Sequence, residues 1–185
     1  VETELTRTIK TMTHFFKPIM NTDKRTIRYA DEVWTPTGIV DSIRFEDFIV
    51  NESDSIICRA KEFGYPIIQE TCDRCKPKGC SGCMNRKRVA QLEYGIMTTC
   101  FEVKISVSDF KSKNGHNFHG NKNYYVVPKD ILQTVLPLVP DGIGLIQYTA
   151  GGLRIKKECD LREIDDKLLN ILLYNAMKKW CDSVR

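Results

Sequence analysis

The chain has 185 residues, 42% of them hydrophobic and 28% charged, with a formal net charge of +4; these are ordinary values for a globular domain with a proper core. No apolar run approaches the ~18 residues of a membrane span, and Val1-Glu2-Thr3-Glu4 has neither the basic nor the apolar region of a signal peptide. Membrane-embedded, secreted, collagenous and wholly disordered classes are set aside, and the expectation is a cytoplasmic mixed α/β protein, a single domain over 1–185 without membrane association.

Leu5, Ile9, Met12, Phe16 and Ile19 recur at spacings of 4, 3, 4 and 3, an apolar helical stripe that Pro18 ends or bends. A strand is expected over 29–35, a turn at Pro36-Thr37-Gly38, and the second arm of a hairpin over 39–45. Residues 48–66 are ambiguous, with a helix centred on 55–63 as one reading. A strand over 97–107 alternates Phe101, Val103 and Ile105 with Glu102, Lys104 and Ser106. A polar loop over 111–123 follows, then short buried strands over 124–128 and 144–148, with a short helix over 131–135 between them. Asp160 as an N-cap, with Glu163 three residues on, opens a C-terminal helix carrying Leu161, Ile164, Leu168, Leu172, Ala176 and Trp180 toward the sheet.

Four of the eight cysteines form Cys72-x2-Cys75-x4-Cys80-x2-Cys83. Two CxxC hooks across a short loop can present four thiolates to one tetrahedral ion, and a closed structural zinc site is the expectation. An iron–sulfur cluster and unligated thiols are the alternatives. The stretch 67–95 is read as a Cys-rich metal-binding insertion within the domain. Cys58, Cys100, Cys159 and Cys181 read as small buried hydrophobes, Cys100 sharing a strand face with Glu102.

Charge is unevenly spread. Residues 31–70 hold nine acidic side chains against Arg44, Arg59 and Lys61, whereas 72–91 hold six basic ones against Asp73. This fits a cation-holding site beside a phosphate-holding surface, as it fits two solvated faces.

Glu102-Val103-Lys104 puts a carboxylate and an ammonium on one strand face, and Asp41 lies in the β-branched stretch Gly38-Ile39-Val40-Asp41-Ser42-Ile43. Charges inside apolar strands are costly unless paired or used. Two carboxylates and a lysine on neighbouring strands make a cage for a hard divalent cation beside a positive charge; a cross-strand ion pair at a sheet end is the structural alternative.

The placement of Asp41 before Glu102-x-Lys104 resembles the PD-(D/E)XK nuclease superfamily. The string FEVKISVSDFKSKNGHNFHGNKNYY, the run Tyr124-Tyr125-Val126-Val127-Pro128 and Pro140-x-Gly-x-Gly-Leu145 resemble its MmcB-like branch of DNA-repair and phage-encoded nucleases. The resemblance spans about residues 30–148. The gap from Asp41 to Glu102 is longer than in that family and holds the cysteine loop, and Val40 stands where the family has proline.

The resemblance implies a restriction-endonuclease-like core, a central mixed β-sheet flanked by helices, and a divalent-metal-dependent deoxyribonuclease acting on DNA. It implies Asp41 and Glu102 as ligands of Mg2+ or Mn2+, the Val103 carbonyl as a third, and Lys104 as the group that orients the attacking water and stabilises transition-state charge. Glu32 is implied as an accessory acid and Ser106 as a hydrogen-bond donor to phosphate or behind the site. Asp109 reads as a cap or turn residue. Arg86, Lys87, Arg88, Lys111, Lys113 and Lys122 are the candidate DNA-contacting cations, His116 and His119 sit among the last three, and Trp34 and Tyr124 are candidates for base stacking. The alternative reading is a non-catalytic zinc-containing nucleic-acid-binding module. A homodimer would suit double-strand cutting.

Overall fold

The computed structural model describes residues 2–16, 27–47, 67–71, 87–90 and 96–184. Pro18, the helix expected over 55–63, Cys58, the four clustered cysteines and Arg86 lie outside the described residues. The chain divides into two compact units, one of Val1–Phe16, Ile27–Phe45 and Met97–Arg185, the other of Lys17–Thr26 and Glu46–Ile96. In the second unit β3 (Ile67–Thr71) and β4 (Lys87–Ala90) pair antiparallel, with Thr71 opposite Lys87 and Glu70 opposite Arg88.

The first unit is built on a six-stranded mixed sheet ordered β1-β2-β5-β6-β7-β8. Its members are β1 (Ile27–Thr35), β2 (Gly38–Asp47), β5 (Ile96–Val103), β6 (Lys122–Pro128), β7 (Gly144–Thr149) and β8 (Gly152–Lys157). β5, β6 and β7 run parallel, and β8 returns antiparallel to β7. The expected hairpin forms around Pro36 and Thr37, and the two short apolar strands fall where the sequence puts them, at β6 and β7.

Helices cover both faces. On one face Ile9 of α1 (Glu4–His14) packs with Phe101, Val103, Tyr124, Val126 and Ile146. On the other, Phe110 of α2 (Val107–Phe110) and Leu132 and Val135 of α3 (Leu132–Val135) pack with Tyr125, Val127 and Leu145. The period-2 alternation of β6 sends Tyr124 and Val126 one way and Tyr125 and Val127 the other. Because both faces are covered, β5 is buried along almost its whole length, polar residues included.

Four expectations are corrected. α1 stops at His14, short of Pro18, and its buried residues are Ile9, Lys10 and Thr13, while Leu5 is exposed. Polar partners draw that face inward: the Thr13 hydroxyl donates to Ser42 Oγ at 3.2 Å, and Lys10 meets carboxylates described below. β5 ends at Val103 instead of 107, because Ser106 Oγ accepts from Asp109 N at 3.1 Å and caps α2.

The C-terminal helix α4 (Asp166–Ser183) is capped by Asp165, whose carboxylate accepts from Leu168 N at 2.7 Å, and not by Asp160. The Asp160 and Arg162 amides instead donate to Gly142 O and Asn121 O, which holds that stretch out of the helix. α4 then lies along the edge strand β1, where Trp180 Nε1 donates to Tyr29 O at 2.6 Å and Asn175 Nδ2 to Trp34 O at 2.9 Å. Among the other cysteines, Cys100 is buried as expected, Cys159 is half-buried and Cys181 is exposed. Among the described residues no helix is long and apolar enough to cross a membrane.

Candidate active site

Asp41 on β2 comes together with Glu102 and Lys104 at the C-terminal end of β5. Lys104 N donates to Val126 O at 3.0 Å on the β6 side, so the preceding amide points toward β2. There it finds a carboxylate: Val103 N donates to Asp41 Oδ2 at 2.8 Å. A side chain thus takes a ladder position and fixes Asp41 against the end of β5. The Val103 amide, not its carbonyl, is the group engaged with Asp41.

Glu102 is buried, with 1% of its surface exposed. Its carboxylate accepts from Asn117 N at 3.1 Å and lies within reach of the Asp41 charge. Burial, then the Asp41 charge, push the Glu102 carboxyl up to about 8, while the Asn117 amide and Lys104 pull the other way.

Lys104 is also buried, its ammonium donating to Asn114 O at 2.7 Å and lying 3.5 Å from Asp109 Oδ1. Asp109 Oδ2 accepts from Ile105 N at 3.3 Å, so the residue expected to cap a turn also braces the lysine. Ser106 caps α2 with its hydroxyl instead of facing the site.

A second cation joins from α1. Lys10 Nζ lies 3.4 Å from Asp41 Oδ1, 3.4 Å from Glu32 Oε1 and 2.9 Å from Glu2 Oε1. Burial alone would lower its pKa, but the hydrogen bond to Glu2 and the charges of Asp41, Glu2 and Glu32 outweigh this and hold it above the ordinary lysine range. Glu32 therefore reaches the site through Lys10. It does so with φ +53, the left-handed region that a β-strand glutamate avoids.

The segment 112–120 closes over these groups. Gly115, at φ +70, packs so tightly that a Cβ there would lie 2.4 Å from Lys104 Nζ and 3.0 Å from Glu102 Oε2; only glycine fits. Asn117 anchors the segment to the β1–β2 turn, its side chain donating to Ile39 O at 2.8 Å and accepting from Thr37 Oγ1 at 3.0 Å. His119 Nε2 meets the same Thr37 hydroxyl at 2.8 Å, and burial keeps its pKa below the usual histidine range. His116 bonds the Tyr125 hydroxyl and, at 2.7 Å, Ser112 O. Burial and then the Glu102 charge push Tyr125 up to about 12.

Sequence reasoning found Asp41, Glu102 and Lys104 but missed Lys10, Gly115 and Asn117. Lys10 lies off the apolar stripe of α1, so its burial left no signal in the sequence. Lys111 is exposed at the end of α2, Lys113 is exposed on the covering segment and Lys122 opens β6; Lys87 and Arg88 lie on β4 of the other unit. Trp34 is exposed on β1, whereas Tyr124 is core, its hydroxyl donating to Glu158 at 3.0 Å. Cys100 is fully buried, which raises its thiol to about 12 and keeps it neutral.

Among the described residues no group of three or more His, Cys, Asp or Glu is placed to hold a metal. The Asp41–Glu102 pair still fits a hard divalent ion of the Mg2+ type, which binds through one or two carboxylates and completes its shell with water and phosphate oxygens.

No family model matches the chain, and no curated protein matches it. Among solved structures it is similar to the SPO1766 protein of unknown function from Silicibacter pomeroyi, at 12% identity and a TM-score of 0.49 over 85% of this chain and 77% of that one.

Proposed function

We propose that the chain is a divalent-metal-dependent DNA nuclease of the PD-(D/E)XK type on a restriction-endonuclease-like core. The observation that carries this reading is the half-buried Asp41 carboxylate beside the buried Glu102 carboxylate, with Lys104 next to them, at the C-terminal end of a parallel strand. Strand ends of this kind are where open α/β sheets bind ligands, and two carboxylates there can hold a hard divalent ion.

Asp41 and Glu102 would hold Mg2+ or Mn2+. When bound, the ion supplies Lewis-acid polarisation of the scissile phosphate and a more acidic water. The Asp41 carboxylate, fixed by Val103 N, orients the site. Glu102 would hold the ion in its deprotonated form. Lys104 Nζ, braced by Asp109, exchanges Asn114 O for a phosphate oxygen or the attacking water and stabilises the charge that develops there. The segment 112–117 lifts for this exchange. Lys111, Lys113, Lys122, Lys87, Arg88 and Arg86 supply contacts to the DNA backbone, and Cys72, Cys75, Cys80 and Cys83 hold a structural zinc.

Cleavage of supercoiled plasmid and of single-stranded DNA in Mg2+ or Mn2+ tests the reading. Glu102→Ala and Lys104→Ala are expected to abolish turnover while keeping the fold; unchanged cleavage in both would falsify it. The second reading is a non-catalytic nucleic-acid-binding module. It is favoured by one observation, the closure of Asn114, Gly115 and Asn117 over Glu102 and Lys104. It predicts salt-sensitive DNA binding without turnover.

A further inference from the structure

Two ammonium groups lie against the Asp41–Glu102 pair: those of Lys10 and Lys104, whose side chains are 8% and 4% exposed. Asp41 is 28% exposed, and Glu2 and Glu32, the other partners of Lys10, are 31% and 54% exposed, so water screens part of each of these charges. Lys10 differs from Lys104 in its reach. It touches Asp41 Oδ1, the oxygen that Val103 N leaves free, at 3.4 Å, and so stands next to the coordinating position with a full positive charge.

A divalent ion entering alone meets both ammonium groups, and one of them already lies against the free Asp41 oxygen that the ion would take. A phosphodiester arriving with the ion brings a negative charge for these ammonium groups and supplies oxygen ligands that the two carboxylates lack. We infer that Lys10 is a positioning residue that keeps the Asp41–Glu102 pair from taking a free divalent ion, so that metal loads together with the phosphodiester. This rests on the nuclease reading and adds to it an order of loading and the residue that imposes it. The strained φ of Glu32 is consistent with the role, because Glu32 is one of the side chains that hold Lys10 over Asp41.

The test is the Mn2+ affinity of the protein, read from the free-ion paramagnetic resonance signal, with and without oligonucleotides carrying uncleavable methylenephosphonate linkages in single- and double-stranded form. Wild type is expected to bind Mn2+ weakly alone and more tightly with an oligonucleotide. Lys10→Met is expected to bind Mn2+ alone about 10- to 100-fold more tightly, Lys10→Arg to behave as wild type, and Lys10→Met combined with Glu102→Gln to lose the gain. A merely structural lysine would give unchanged or weaker binding in Lys10→Met, and that result overturns the inference while leaving the nuclease reading in place. Should Lys10→Met not fold, wild type alone decides, because equal Mn2+ affinity with and without oligonucleotide also overturns it. Absence of Mn2+ binding in every condition would instead remove the nuclease reading beneath it.

Discussion

Glu102 carries the clearest titration in the site. In the metal-free folded protein its carboxyl is raised from 4.5 to about 8, first by burial and then by Asp41. Between those values the folded state keeps a proton that the unfolded chain has released, so this group lowers stability as pH rises through the window and costs most above it. Glu102→Gln removes the titration and keeps the shape. Its stability relative to wild type, measured by denaturation in a chelator, is expected to increase steadily from pH 4.5 to about 8. A difference that is flat or falls with pH contradicts the assignment. Adding Mn2+ with DNA is expected to raise the wild-type melting temperature and not that of the variant.

Glu32 makes a second residue-scale case. Its left-handed backbone costs about 1 kcal/mol or more in a non-glycine residue. Glu32→Gly is therefore expected to leave thermal stability equal or slightly higher while loosening the hold on Lys10. A large loss of stability would mean that the carboxylate matters more to folding than the strain costs.

At the scale of elements, the segment 112–120 and helix α4 carry the arrangement. Gly115→Ala puts a Cβ against Lys104 at a positive φ and is expected to destabilise by roughly 1–3 kcal/mol. Faster hydrogen exchange at Asn117 N would report the loosened cover; unchanged stability and exchange would mean that the segment is not seated on the site. α4 covers the outer carbonyls of β1, and an uncovered edge invites pairing with other chains. Trp180→Phe keeps a ring against Phe45 but loses the bond to Tyr29 O. The expected cost is about 0.5–1.5 kcal/mol in chemical denaturation.

Over the whole molecule, the sequence was most legible where one signal dominated. The hairpin was marked by its turn residues, and β5, β6 and β7 by apolar runs. Asp41, Glu102 and Lys104 stood out as charges inside such runs. β8 was not read, because Gly152–Lys157 alternates half-buried and exposed residues without a strong apolar face. The start of α4 was misplaced because Asp160 and Asp165 both precede apolar periodicity, and only the tertiary bonds of the Asp160 and Arg162 amides decide between them. Lys10, Asn117 and Gly115 were invisible for a similar reason: each acts on residues far away in the chain, through a buried charge, a backbone amide and the absence of a side chain.

The central claim is that the carboxylate pair and Lys104 serve metal-dependent phosphodiester cleavage. The most direct measurement is the conversion of supercoiled plasmid by wild type and Asp41→Asn, in Mg2+ and in excess chelator, with matched circular dichroism spectra. The account predicts nicked or linear product from wild type in Mg2+ alone, and none from Asp41→Asn in either condition. Cleavage that persists in chelator, or in a correctly folded Asp41→Asn, would contradict it.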